Sequence, residues 1–132
     1  MDAARKILLF DSLLGTVWIV TGLSVAASRE IASVWWLVGV GGLAAVGLLA
    51  AEEHGHTPAD SLRWFGVTIV GVLVVGVVTV VATTSLFTFD ATVAIGAHLV
   101  GLGVGLLGYR LLYGLVWPIP DAGLDRARER AV

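Results

Sequence analysis

The sequence predicts an all-α integral membrane protein, a bundle of four transmembrane helices with both termini cytoplasmic. Three observations carry this. Hydrophobic residues make up 58% of the 132 and charged residues only 14%, where a soluble chain is just under half apolar. The mean hydropathy is correspondingly high, +0.95. The apolar residues fall into four runs, and at about 1.5 Å rise per residue each reaches across the ~30 Å of a hydrocarbon core. Finally, the basic residues segregate: Arg5, Lys6, Arg63, Arg126, Arg128 and Arg130 fall on one side of a four-span topology and Arg29 alone on the other. The richer side is cytoplasmic by the positive-inside rule. The whole chain, 1–132, reads as one domain.

The first run covers residues 7–27 and follows the basic pair Arg5-Lys6. A cleavable leader would have a shorter apolar stretch without a carboxylate, and this one contains Asp11. Helical spacing puts Asp11, Gly15, Trp18 and Gly22 on one face. The second run, 31–51, opens on Trp35 and Trp36, placed as interfacial anchors. The third, 64–86, is rich in valine, yet far longer than the 4–8 residues usual for a strand. It also lacks the alternation of a membrane barrel. Helices are then the spanning structure left, because lipid offers no partner to open backbone groups.

The fourth run, 91–117, is the one the chain is organised around. It holds Gly96, Gly101, Gly103, Gly105, Gly108 and Gly114 with one histidine, His98, and one arginine, Arg110. Interior glycine disfavours a helix in water by about 1 kcal/mol relative to alanine. In a bilayer it lets a neighbouring helix come close. Ala97, Gly101, Gly105 and Gly108 are expected to form one packing stripe, with Gly15 and Gly22 of the first run, or Gly41 and Ala45 of the second, as counterparts. Pro118 and Pro120 are expected to end this helix. The remainder, 118–132, reads as a cytoplasmic tail, expected to be frayed in preference to forming a short surface helix. A similarity between Leu37-Val38-Gly39-Val40-Gly41 and Leu99-Val100-Gly101-Leu102-Gly103 suggests either a hairpin duplication or shared composition.

Few residues look able to carry chemistry. Asp11 is about one turn inside the first helix, where a carboxylate is costly. It reads as a coupling carboxylate for a proton or cation, or as a structural ion pair; its shallow depth favours the latter. Arg110 lies at a similar depth from the same side, on a face with Gly96, Gly103 and Gly114, and is expected to pair with Asp11. His98 reads as a ligand or proton relay, or as a neutral histidine hydrogen-bonded to a neighbouring helix; with no second histidine at its depth, the latter is favoured. Glu52, Glu53, His54 and His56 in the loop after the second run are weak metal candidates that match no defined motif.

Composition excludes more than it assigns. There is no cysteine, hence no thiolate metal site or cysteine nucleophile. The net charge of −2 does not point to nucleic acid. No phosphate loop, G-x-S-x-G or H-E-x-x-H occurs. No cofactor or enzymatic activity is therefore expected. The leading expectation is an accessory or assembly subunit of the cell membrane, packing with a second copy or a larger membrane protein. The alternative is a small oligomeric transporter or channel with Asp11 as coupling carboxylate.

Overall fold

A computed structural model of the chain describes residues 3–54, 61–87 and 90–129, with side chains over 4–54, 70–87 and 90–125. The described residues form helices and their connections, without a strand. In order these are α1 (Ala3–Val25), α2 (Ser28–Ser33), α3 (Trp35–Glu53), α4 (Ser61–Phe87), α5 (Ala91–Leu111), a π-helical turn (Leu112–Val116) and α6 (Asp121–Glu129). Four of them, α1, α3, α4 and α5 with its turn, are long and apolar enough to cross a membrane.

The second apolar run is not one helix from residue 31. Val34, at φ −119° and ψ 34°, separates α2 from α3. The Ser33 hydroxyl donates to the Glu30 carbonyl at 2.6 Å, and Glu30 reaches back to accept from the Ala27 amide at 3.2 Å. Side chains thus serve the backbone groups of a one-turn helix, the usual competition serine offers to a continuing ladder. Ile31 and Val34 are then buried beneath the break.

The fourth run also ends earlier than its prolines imply. Helical geometry fails at Tyr113 and Gly114, ahead of Pro118. A Cβ at Gly114, in the turn after α5, would meet the end of the flexible Leu8 side chain of α1. The segment beyond is ordered: Ile119 is buried, and the Pro120 carbonyl accepts from the amides of Gly123 and Leu124 to start α6. The expected fraying is thus corrected: residues Asp121–Glu129 form a short helix.

The bundle is built around α5. Helix α1 packs along one side of it and α3 along another, while α4 touches it over a narrower strip and barely meets α3. A duplicated hairpin would make the α3–α4 contact resemble the α1–α5 contact. The two differ too much for that, which leaves composition as the source of the Leu-Val-Gly echo.

Glycine makes the close approaches. On one face of α5, a Cβ on Gly96 would fall 2.9 Å from the Gly22 carbonyl oxygen, and one on Gly103 would strike the Gly15 carbonyl. On a second face, a Cβ on Gly101 would strike the Val38 carbonyl and one on Gly105 the Gly42 carbonyl. The expected stripe is therefore corrected in two ways. Gly15 and Gly22 meet Gly103 and Gly96, not Gly101 and Gly105, because the i, i+7 spacing of each pair places them on matching faces of antiparallel helices. Gly108 is exposed and a Cβ there would meet nothing within 4 Å. Ala97 is fully enclosed, in a cluster with Ala26, Ile31, Val34, Leu37 and Ala94.

Candidate functional site: a buried ion cluster and an unpartnered histidine

The spacing that sets Gly96 and Gly103 against α1 carries Arg110 to the same face, two further turns along. Asp11 stands four residues before Gly15 on the matching face of α1. Their contact follows: Arg110 Nε donates to Asp11 Oδ2 at 2.5 Å. Arg110 has a second carboxylate that the sequence did not suggest. Its Nη1 donates to Glu53 Oε1 from the last turn of α3, so one guanidinium ties three helices together.

Glu53 is 3% exposed and Arg110 5%, so these charges have left water. Removing one partner from such a cluster costs ~3–5 kcal/mol, although the intact cluster itself adds little net stability. The Arg110 guanidinium carbon also lies 5.5 Å from the centre of the Tyr109 ring. Tyr109, Tyr113 and Trp117 continue as adjacent aromatic contacts, at 4.8 and 5.6 Å between ring centres. Helix α6 closes the cluster: a Cβ at Gly123 would be 3.2 Å from Glu53 Oε1, so α6 rests against that carboxylate.

Glu53 was not legible as a member of this site. The buried residues of α3 are Leu37, Gly41, Ala45 and Glu53, but the twelve residues from Gly41 to Glu53 turn an α-helix about 120° off the Gly41 face. Helical spacing alone therefore does not select it, and its place beside the polar residues that follow groups it with the loop.

The described members of that grouping do not gather as metal ligands. Glu53 turns inward to Arg110, and His54 is exposed with its Nδ1 donating to the Ala50 carbonyl at 2.9 Å. Glu52 is half-buried, and His56 lies outside the described residues. Among those described, no three His, Cys, Asp or Glu side chains gather to hold a metal.

His98 is 5% exposed, and neither ring nitrogen has a hydrogen-bond partner among the described residues. The expected bond to a neighbouring helix is absent among the described residues. Thr83 on α4 directs its hydroxyl to the Thr79 and Val80 carbonyls of its own helix. A buried polar group left unsatisfied costs about 1–3 kcal/mol. The imidazole borders two apolar cavities beside α4, of about 320 Å³ and 270 Å³.

At the other end of α5, Asp90 caps the helix. Its Oδ1 accepts from the Thr92 amide at 2.8 Å and the Thr92 hydroxyl at 2.7 Å. Those two donors hold its carboxyl below the usual range.

The fold defines a class, an all-helical bundle with four helices of membrane-spanning length and apolarity. No protein-family model, curated protein or solved structure matches the chain, so its function rests on its own residues.

Proposed function

We propose that this chain is a non-enzymatic, multi-pass protein of the cell membrane, an accessory or assembly subunit that meets a partner at the open side of its bundle. The observation that carries the reading is the unequal packing of α5. Its two glycine faces are filled by α1 and α3 of the same chain, so they offer nothing to a second protein. Helix α4 presents Leu73, Val74, Val77, Val78 and Val81 outward, each more than half exposed. Close packing drives helix association in lipid, and α4 is the helix with packing still to gain.

Single cysteines at Val74, Val78 and Leu13 test this, in a chain that has no cysteine of its own. Oxidation in native membranes links the α4 variants to a second copy or to another membrane protein and leaves Leu13→Cys, on the outer face of α1, unlinked. Equal behaviour of the three sites contradicts the reading.

Both termini and the loop between α3 and α4 are cytoplasmic in this proposal, with Arg29 and Asp90 outside. The distribution of basic residues supports that orientation. Cysteines at Ser28, Thr57 and Thr88, probed with an impermeant thiol reagent in intact cells, react at Ser28 and Thr88 and not at Thr57. Reaction at Thr57 with protection at the other two reverses the orientation.

The transporter alternative draws on the Asp11–Arg110–Glu53 cluster. A coupling carboxylate must release its ion, and Arg110 Nε at 2.5 Å occupies one oxygen of Asp11. That contact favours a structural duty. Ion flux into vesicles that disappears in Asp11→Asn, while the fold is retained, would restore the transport reading.

A further inference from the structure

We propose that His98 is the polar anchor of a binding site for a lipid-soluble ligand: a one-ring molecule bearing carbonyl or hydroxyl oxygens on an apolar body, the chemistry of a quinone or quinol. The site is the larger cavity between α4 and α5, lined by Gly76, Val80, Ile95, His98, Leu99 and Leu102 among others. At about 320 Å³ it is at the lower end of small-molecule sites and accepts a single substituted ring.

The lining sets the ligand chemistry. Among the described lining residues His98 is the one side chain able to form a strong hydrogen bond; the others are aliphatic or glycine. A neutral imidazole has one N–H donor and one acceptor nitrogen, and both are without partners. Water is a poor occupant of a cavity with so few polar partners, since a buried water typically makes about three hydrogen bonds. A carbonyl oxygen accepts from the imidazole N–H, and a ring hydroxyl donates to the other nitrogen. The aliphatic wall covers the rest of the ring. Gly76 keeps the approach to the imidazole clear: a Cβ there would rest 3.8 Å from His98 Nε2, in ordinary contact, and anything longer would enter the cavity. The exposed Leu73, Val77 and Ile95 lie at the rim, so entry is from the surrounding lipid. The cavity is formed by α4 and α5 of this chain; Leu73 and Val77 at its rim also belong to the α4 face proposed to meet a partner, so the test uses the chain alone in lipid, where that face is open.

The test uses the full chain in lipid nanodiscs, labelled with ¹⁵N-histidine and titrated with a decyl-substituted benzoquinone, its quinol, and decane. The His98 ring resonances shift saturably with the quinone or the quinol and do not shift with decane. His98→Phe keeps the ring volume, removes both unpartnered nitrogens and melts no lower than the wild type. By equilibrium partition it binds the ligand about tenfold or more weakly, the loss of at least one hydrogen bond. Gly76→Leu leaves His98 in place, fills the cavity and weakens binding by a similar factor. The proposal is overturned by His98 resonances that do not saturate with either oxygenated probe, by an equal response to decane, or by quinone affinity within twofold of wild type in both variants.

Discussion

Alanine at Gly105 and at Gly108 should change stability in opposite directions, although the two residues are three apart on the same helix. At Gly105 the added Cβ would strike the Gly42 carbonyl, and it would sit 2.7 Å from Gly42 Cα and 2.9 Å from its carbonyl carbon. All three are backbone atoms and cannot swing aside. Ordinary contact begins near 3.4 Å, so clearing the Gly42 carbonyl oxygen requires α3 and α5 to part by about 1 Å at this point. A gap of that size forfeits about a quarter to a half of the dispersion energy of each contact it opens. Overpacking of this kind costs ~1–3 kcal/mol, against which alanine's helix preference returns about 1 kcal/mol. With three backbone atoms inside 3.0 Å the upper end of that range applies, so Gly105→Ala should lose about 2 kcal/mol net. At Gly108 nothing lies within 4 Å of the new Cβ, so the helix preference is unopposed and Gly108→Ala should gain up to about 1 kcal/mol. Equilibrium unfolding in mixed detergent micelles, followed by far-ultraviolet circular dichroism, measures both. A Gly105→Ala variant as stable as the wild type, or a Gly108→Ala variant that loses as much as Gly105→Ala, refutes the packing argument.

Two further expectations concern charge. Arg110→Gln should be the most damaging single change at the ion cluster, by ~3–5 kcal/mol, because it strands Asp11 and Glu53 together; Asp11→Asn should cost less, since Arg110 keeps Glu53. The double change Asp11→Asn with Arg110→Gln should remain unstable, while adding Glu53→Gln recovers much of the loss in the same unfolding assay; full recovery in the double variant would show that Glu53 contributes nothing. At the Asp90 cap the folded carboxyl titrates below its ordinary value, so the cap's contribution is present above the unfolded pKa near 3.9 and is lost as pH falls through the lower folded value. Amide exchange at Thr92 should quicken over that acid range in the wild type and stay insensitive to pH in Asp90→Asn once intrinsic exchange is subtracted; the same pH response in both proteins would remove the carboxylate from the cap.

The sequence was most legible where chemistry left few choices. Asp11 and Arg110 are charges within apolar runs, at similar depth, and each has few partners to choose from, so their pairing follows from elimination. The helix count follows from run length for the same reason. Glu53 was not legible, because it stands where an apolar run meets a polar loop, and its burial depends on Arg110 of α5 and on α6 resting against it, contacts that spacing within α3 does not give. The glycines of α5 read as one packing surface but serve two. Gly96 and Gly103 face α1 while Gly101 and Gly105 face α3, and helical angles alone do not say which neighbour each face receives. The break at Val34 depends on Ser33 and Glu30 bonding to nearby backbone, a local choice that hydropathy does not register. The unpartnered state of His98 depends on where α4 sits, which a run of valines with little periodicity leaves open.

The central claim is that α5 is enclosed by its own chain, with Gly15 and Gly22 of α1 against Gly103 and Gly96, and Gly41 and Gly42 of α3 against Gly101 and Gly105. Solid-state NMR of ¹³C-glycine-labelled protein in lipid bilayers reads those contacts directly, as through-space cross-peaks between the Cα atoms of the paired glycines. The account predicts that the cross-peaks appear and keep their intensity per labelled molecule when labelled protein is diluted into a large excess of unlabelled protein. Cross-peaks that fade on dilution would assign these glycine faces to contacts between copies and contradict the account.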